Sequence, residues 1–71
     1  MMIQITVNGT GEQYTSGVTL LDILQSRAIS VESAKGVAVA VNDRIVRRGD
    51  WNSVQINDGS NIEIVTARQG G

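Results

Sequence analysis

Ile3, Ile5 and Val7 alternate with Gln4 and Thr6, a period of two that predicts a half-buried strand. Asn8-Gly9-Thr10-Gly11 follows, and Asn-Gly takes the positive φ angles of a tight hairpin turn. The chain is therefore expected to double back through a short strand over Glu12 to Thr15, ended by Ser16-Gly17. At Val18 the period changes. Leu20, Ile23, Leu24 and Ala28 fall at helical spacing, with Leu21 beside them, and predict a helix from Leu20 to Ala28. Thr19 suits the N-cap, Asp22 the positive helix end and Arg27 the negative end. Ser30 to Gly36 reads as a loop.

Val37, Val39 and Val41 alternate with Ala38 and Ala40, the clearest strand pattern in the chain and one expected to be a central strand. Asn42-Asp43 is a turn pair, and Ile45-Val46 a short strand after it. Gly49 to Ile56 has no clear period and accommodates a single helical turn. Asn57-Asp58-Gly59 is a further turn, and Ile62 and Ile64 mark a last strand ending near Ala67. The order is hairpin, helix, strand pair, last strand. One helix covers one face of such a sheet and leaves the other to solvent or a partner.

Composition narrows the function more than the fold. With 71 residues the chain is one domain, and Trp51 and Tyr14 are its only aromatic residues, so Val, Ile, Leu and Ala must build the core. There is no Cys and no His, which excludes a disulfide, a Cys/His zinc site, a thiol nucleophile and an imidazole base. Asp and Glu are scattered, no P-loop occurs, and a self-contained enzyme is not expected. A net charge of −1 gives no general attraction to nucleic acid or to a membrane surface. No apolar run approaches the roughly 20 residues of a bilayer span, and the start lacks a signal-peptide pattern. The expectation is a cytoplasmic monomer.

The end of the sequence carries the one candidate for chemistry. Arg68-Gln69-Gly70-Gly71 follows the last strand, so the chain divides into a folded domain over residues 1–67 and a flexible tail over 68–71. A Gly-Gly terminus is by itself a weak motif, more often a frayed end than a functional one. It is also what a reactive carboxylate needs in order to thread into another protein's active site, because no Cβ restricts its passage. Four extended residues span about 13–14 Å, enough to enter a deep pocket while the globule stays outside.

Four segments together resemble the ubiquitin-like β-grasp sulfur carriers, and within them the branch serving thiamine biosynthesis, over essentially the whole length. They are Ile3-Gln4-Ile5-Thr6-Val7-Asn8-Gly9, the helix Thr19-Leu20-Leu21-Asp22-Ile23-Leu24, the stretch from Val39 to Arg48 followed by Trp51, and Asp58 to Val65 with Gly70-Gly71. The resemblance implies an α+β, ubiquitin-like β-grasp fold with a mixed four- to five-stranded sheet and one main helix, its first and last strands adjacent at the centre. It implies a carrier rather than a catalyst. The Gly71 carboxylate is adenylated by an E1-like activating enzyme, which binds the ATP and Mg²⁺. A persulfide, such as that of a cysteine desulfurase, then leaves a thiocarboxylate on Gly71, and thiazole synthase takes the sulfur. Molybdopterin-branch carriers share the fold but usually carry Phe and Pro, both absent here. That branch, another sulfur pathway, isopeptide conjugation through Gly71 and a passive interaction domain remain the alternatives.

Gly71 is thus the expected sulfur-carrying residue and Gly70 its slender neck. Arg68 and Gln69 either line the partner's access channel or are simply solvated. Val65, Glu63, Ala38 and Ala40 are expected on the sheet face away from the helix, as a docking patch or as an ordinary exposed surface. Arg44, Arg47 and Arg48 read as a solvated edge more than as a binding cluster. Trp51 reads as a packing residue with its N–H at the surface.

Overall fold

In the computed structural model, which describes residues 1–32 and 35–66, β1 (Met2–Val7) and β2 (Thr10–Thr15) form an antiparallel hairpin paired from Met2↔Thr15 to Val7↔Thr10. Asn8 and Gly9 make the whole turn at φ 51° and 83°, the doubly positive geometry that matches strand twist. The turn is tighter than expected, so β2 starts at Thr10 instead of Glu12.

The helix α1 spans Leu20–Gln25. Its start is fully satisfied. Leu20 and Leu21 N–H donate to the Val54 and Trp51 carbonyls at 2.8 and 3.0 Å. Thr19 Oγ1 accepts from Asp22 N–H, and the Asp22 carboxylate accepts from Thr19 N–H, at 3.1 and 3.0 Å, a reciprocal capping box. The expected end at Ala28 is a correction. Ala28 sits at φ 63°, with its N–H on Gln25 O and Ile29 N–H on Leu24 O. That bond pair closes a helix at a left-handed residue, a place that usually belongs to glycine. Arg27 consequently leaves the helix end and pairs with Glu12 of β2. Tyr14 Oη donates to the same carboxylate at 2.9 Å.

β3 (Val37–Val41) and β4 (Arg44–Val46) turn through Asn42 and Asp43, both left-handed at 51° and 68°. A single 3-10 turn covers Arg48–Asp50, and β5 (Asn61–Thr66) closes the chain's described part. The sheet order is β2-β1-β5-β3-β4, with β5 parallel to β1 and antiparallel to β3. The first and last strands are therefore neighbours, as the resemblance implied. β3 is an interior strand between β5 and β4, as its pattern predicted. The result is the ubiquitin-like β-grasp arrangement.

Ile3, Ile5, Val7, Val39 and Ile62 from the sheet meet Leu20, Ile23 and Leu24 of α1, with Trp51 and Ile56 filling the end of the layer. Trp51 is 1% exposed. Its indole N–H lies inside and donates to the Val46 carbonyl at 3.1 Å, correcting the surface placement expected for it. A buried N–H needs such a partner, and β4's last carbonyl supplies it.

Candidate functional site

β5 alternates between two environments. Ile62 and Ile64 turn to the helix, fully and half buried, while Asn61, Glu63 and Val65 turn away. Strand register extends that outward row across the sheet: Val65 pairs with Ala38, Glu63 with Ala40, and Ala40 with Ile45. Side chains directly opposite in adjacent strands share a face. The four residues expected there, Val65, Glu63, Ala38 and Ala40, do come together and line one shallow groove with Val39 and Ile45.

Ile45 was missed. It is 79% exposed, more than Val65 at 61%, and stands at the groove's outer side. A three-residue strand shows too little alternation to assign its faces. The signal was present in the turn: a two-residue loop at Asn42-Asp43 sets Ala40 opposite Ile45.

The groove is apolar apart from Glu63. The rest of the same sheet face differs, because Gln4 pairs with Gln13 and Thr6 with Gly11 there, beside a second shallow depression reaching Gly59 and Ser60. The apolar part borders the strand that leads into residues 67–71. Arg44, Arg47 and Arg48 are exposed on and just after β4, the edge strand. Their placement matches the solvated-edge reading, since charge on an edge opposes unwanted strand pairing.

Arg68, Gln69, Gly70 and Gly71 lie outside the described residues. Among the described residues no group of carboxylates is placed to hold a metal ion, and no helix is long and apolar enough to cross a membrane.

Comparison with known proteins covers nearly all of the chain. The family model described as the ThiS family matches residues 5–71. A crystal structure of a thiamine biosynthesis protein (ThiS) from Geobacter metallireducens is similar with a TM-score of 0.79 and 21% identity, over 97% of this chain and 100% of that one. A solution NMR structure of a thiamine biosynthesis protein from the same organism gives 0.76 and 21%, over 97% and 88%. At this identity the structural likeness shows the fold, and the family match extends through both terminal glycines. No curated relative matches at a significant level.

Proposed function

We propose, from the premise that this chain belongs to the ThiS family of thiamine-pathway sulfur carriers, that the Gly71 carboxylate is the group that carries the sulfur. A carboxylate oxygen attacks the α-phosphorus of ATP held by an E1-like activating enzyme, and pyrophosphate leaves. The mixed anhydride makes AMP a good leaving group, so one difficult acyl substitution becomes two easier ones. A persulfide sulfur, from a donor such as a cysteine desulfurase, attacks the carbonyl carbon and AMP departs. A thiol then cleaves the S–S bond of the acyl disulfide, leaving the thiocarboxylate and a new disulfide. Thiazole synthase is the proposed acceptor.

The nucleotide and its Mg²⁺ are assigned to the activating enzyme, as the family resemblance implies, and this chain has no phosphate-binding loop of the P-loop form. What the chain supplies is a grip and a reach. Val65, Ala38, Ala40 and Ile45 form the grip, with Glu63 giving it one charge for a basic residue of the partner. Gly70 is the neck that passes through the partner's channel, with Arg68 and Gln69 at its mouth.

The observation that carries this reading is the continuity of one strand. β5 holds both Glu63 and Val65 in the groove, and its last residue, Thr66, stands five positions before Gly71 in the sequence. A partner that grips the groove therefore already holds the root of the tail. The test is intact-mass analysis after incubation with the activating enzyme, ATP and a persulfide donor. Replacement of one oxygen by sulfur adds about 16 Da to a chain ending at Gly71, on the acyl-transfer chemistry above. A chain that stays at its original mass with a demonstrably active enzyme pair defeats the reading.

A further inference from the structure

The two asparagines that open the tight hairpin turns both hold β5. Asn8 and Asn42 each take a left-handed backbone at φ 51°. Asn42 Oδ1 accepts from Asn61 N–H at 2.8 Å, at the start of β5. Asn8 Oδ1 accepts from Ile64 N–H at 2.7 Å, toward its end. Their backbone N–H groups donate to the Asn61 and Ile62 carbonyls at 2.8 and 2.9 Å.

Asn8 does one thing more. Its Nδ2 donates to the Ile64 carbonyl at 3.2 Å, so its carboxamide bonds both the N–H and the C=O of one β5 residue. That is the pairing a neighbouring strand provides. It falls where the neighbouring strand stops. The register between β1 and β5 runs through Thr6↔Asn61 and Val7↔Ile62, whereas β3 accompanies β5 to Thr66. Past Ile62, β1 turns away into β2, and the side chain of Asn8 takes over its hydrogen bonding.

We propose that Asn8 is a positioning residue for the sulfur-carrying terminus, fixing the direction in which β5 delivers the tail. The proposal rests on the reading that Gly71 is the reacting group. Gly71 stands seven positions beyond Ile64, a reach of about 23–25 Å when extended in an active site. A misplacement of about 1 Å at a reacting group can lower a rate on the order of 100-fold, and the end of β5 is where this chain sets the start of the tail. Asn8 touches no reacting atom; it acts through the backbone of Ile64.

Asn42 supplies a matched control, since it clamps the other end of the same strand at the same φ. Glycine accepts φ 51° at either position, so Asn8→Gly and Asn42→Gly both keep their turns and lose only the side-chain bonds. Steady-state adenylation by the activating enzyme is measured with each folded variant as the varied substrate, together with amide hydrogen exchange of the free proteins. For Asn8→Gly the expected result is a kcat lower on the order of tenfold, a KM within about twofold, and faster exchange at Ile64 and Thr66. For Asn42→Gly, kcat stays near that of the natural chain and exchange rises at Asn61. Equal kcat for the two variants, or unchanged exchange at Ile64 in Asn8→Gly, overturns the proposal. If the natural chain itself is not adenylated, the carrier reading fails instead, and exchange at Ile64 still decides whether Asn8 holds β5.

Discussion

Ile62 and Val65 lie three residues apart on β5, yet one is sealed against α1 and the other is 61% exposed. On the helix side, the sheet meets Leu20, Ile23, Leu24 and Trp51 in a layer where each side chain removes apolar area from water. On the open side, Val65, Ala38, Ala40 and Ile45 gain little from folding, because solvent still reaches them. The difference teaches where each face was selected to act. The helix side stabilises the globule. The open side carries Val65, Ala38, Ala40 and Ile45 across β5, β3 and β4, and Gln4, Thr6 and Gln13 with the exposed Met2 across β1 and β2. On the proposed carrier reading, the groove of Val65, Ala38, Ala40 and Ile45 is the part that a partner grips.

The comparison is broken most completely by leaving both faces intact and removing what they serve. Deleting Gly70 and Gly71 is expected to abolish thiocarboxylate formation, read by intact mass. The unfolding free energy should stay within about 0.5 kcal/mol, because the core ends at Ile64. A loss of stability comparable to a core mutation would show that the terminus belongs to the fold.

Ile62→Ala attacks the helix side. Ile62 is fully buried, so denaturant unfolding should show a loss of about 2–5 kcal/mol. For a domain of this size that is a large fraction of the total stability. Activity should recover at low temperature in whatever fraction remains folded.

The double variant Val65→Ser with Ile45→Ser attacks the open side. Titration calorimetry with the activating enzyme should show a Kd weaker on the order of tenfold, from the apolar area no longer buried in the complex. Stability should change by no more than about 1 kcal/mol, the span of strand preference. Gln13→Ala, on the polar part of the same face, should leave both quantities within experimental scatter. An equal effect of Gln13→Ala would remove the distinction between the two parts.

The smallest expected effect concerns neither face. Ala28 occupies the left-handed closing position of the helix at φ 63°. Ala28→Gly should raise the thermal midpoint by a few degrees, on the order of 0.5–1 kcal/mol, because only glycine takes that conformation without Cβ strain. A lower midpoint would mean that the unfolded chain's added freedom outweighs the relief of strain.

What the sequence determined by itself was everything set within a few residues. The alternation of Ile3, Ile5 and Val7, the positive φ of the Asn8-Gly9 turn and the Thr19 cap each follow from local sterics and nearby hydrogen bonds, and stand in the structure, with only the turn's length shorter than read. The outward row of Val65, Glu63, Ala38 and Ala40 was also legible, because alternation fixes faces once the inward residues are known. The tertiary structure decided what depends on distant neighbours. Valine-rich β3 read as a central strand and is one, but that β5 lies between it and β1 was decided by pairing between segments far apart in the chain. Ala28 left the helix at a left-handed turn after which Ile29 and Val31 pack on the core, a placement that the helical period of the side chains does not show. The Trp51 N–H found Val46, and the Asn8 carboxamide found Ile64, 56 positions away. The reason is common to all of these. Period and propensity act along the chain, whereas burial and hydrogen-bond satisfaction are settled only between segments that the fold brings together.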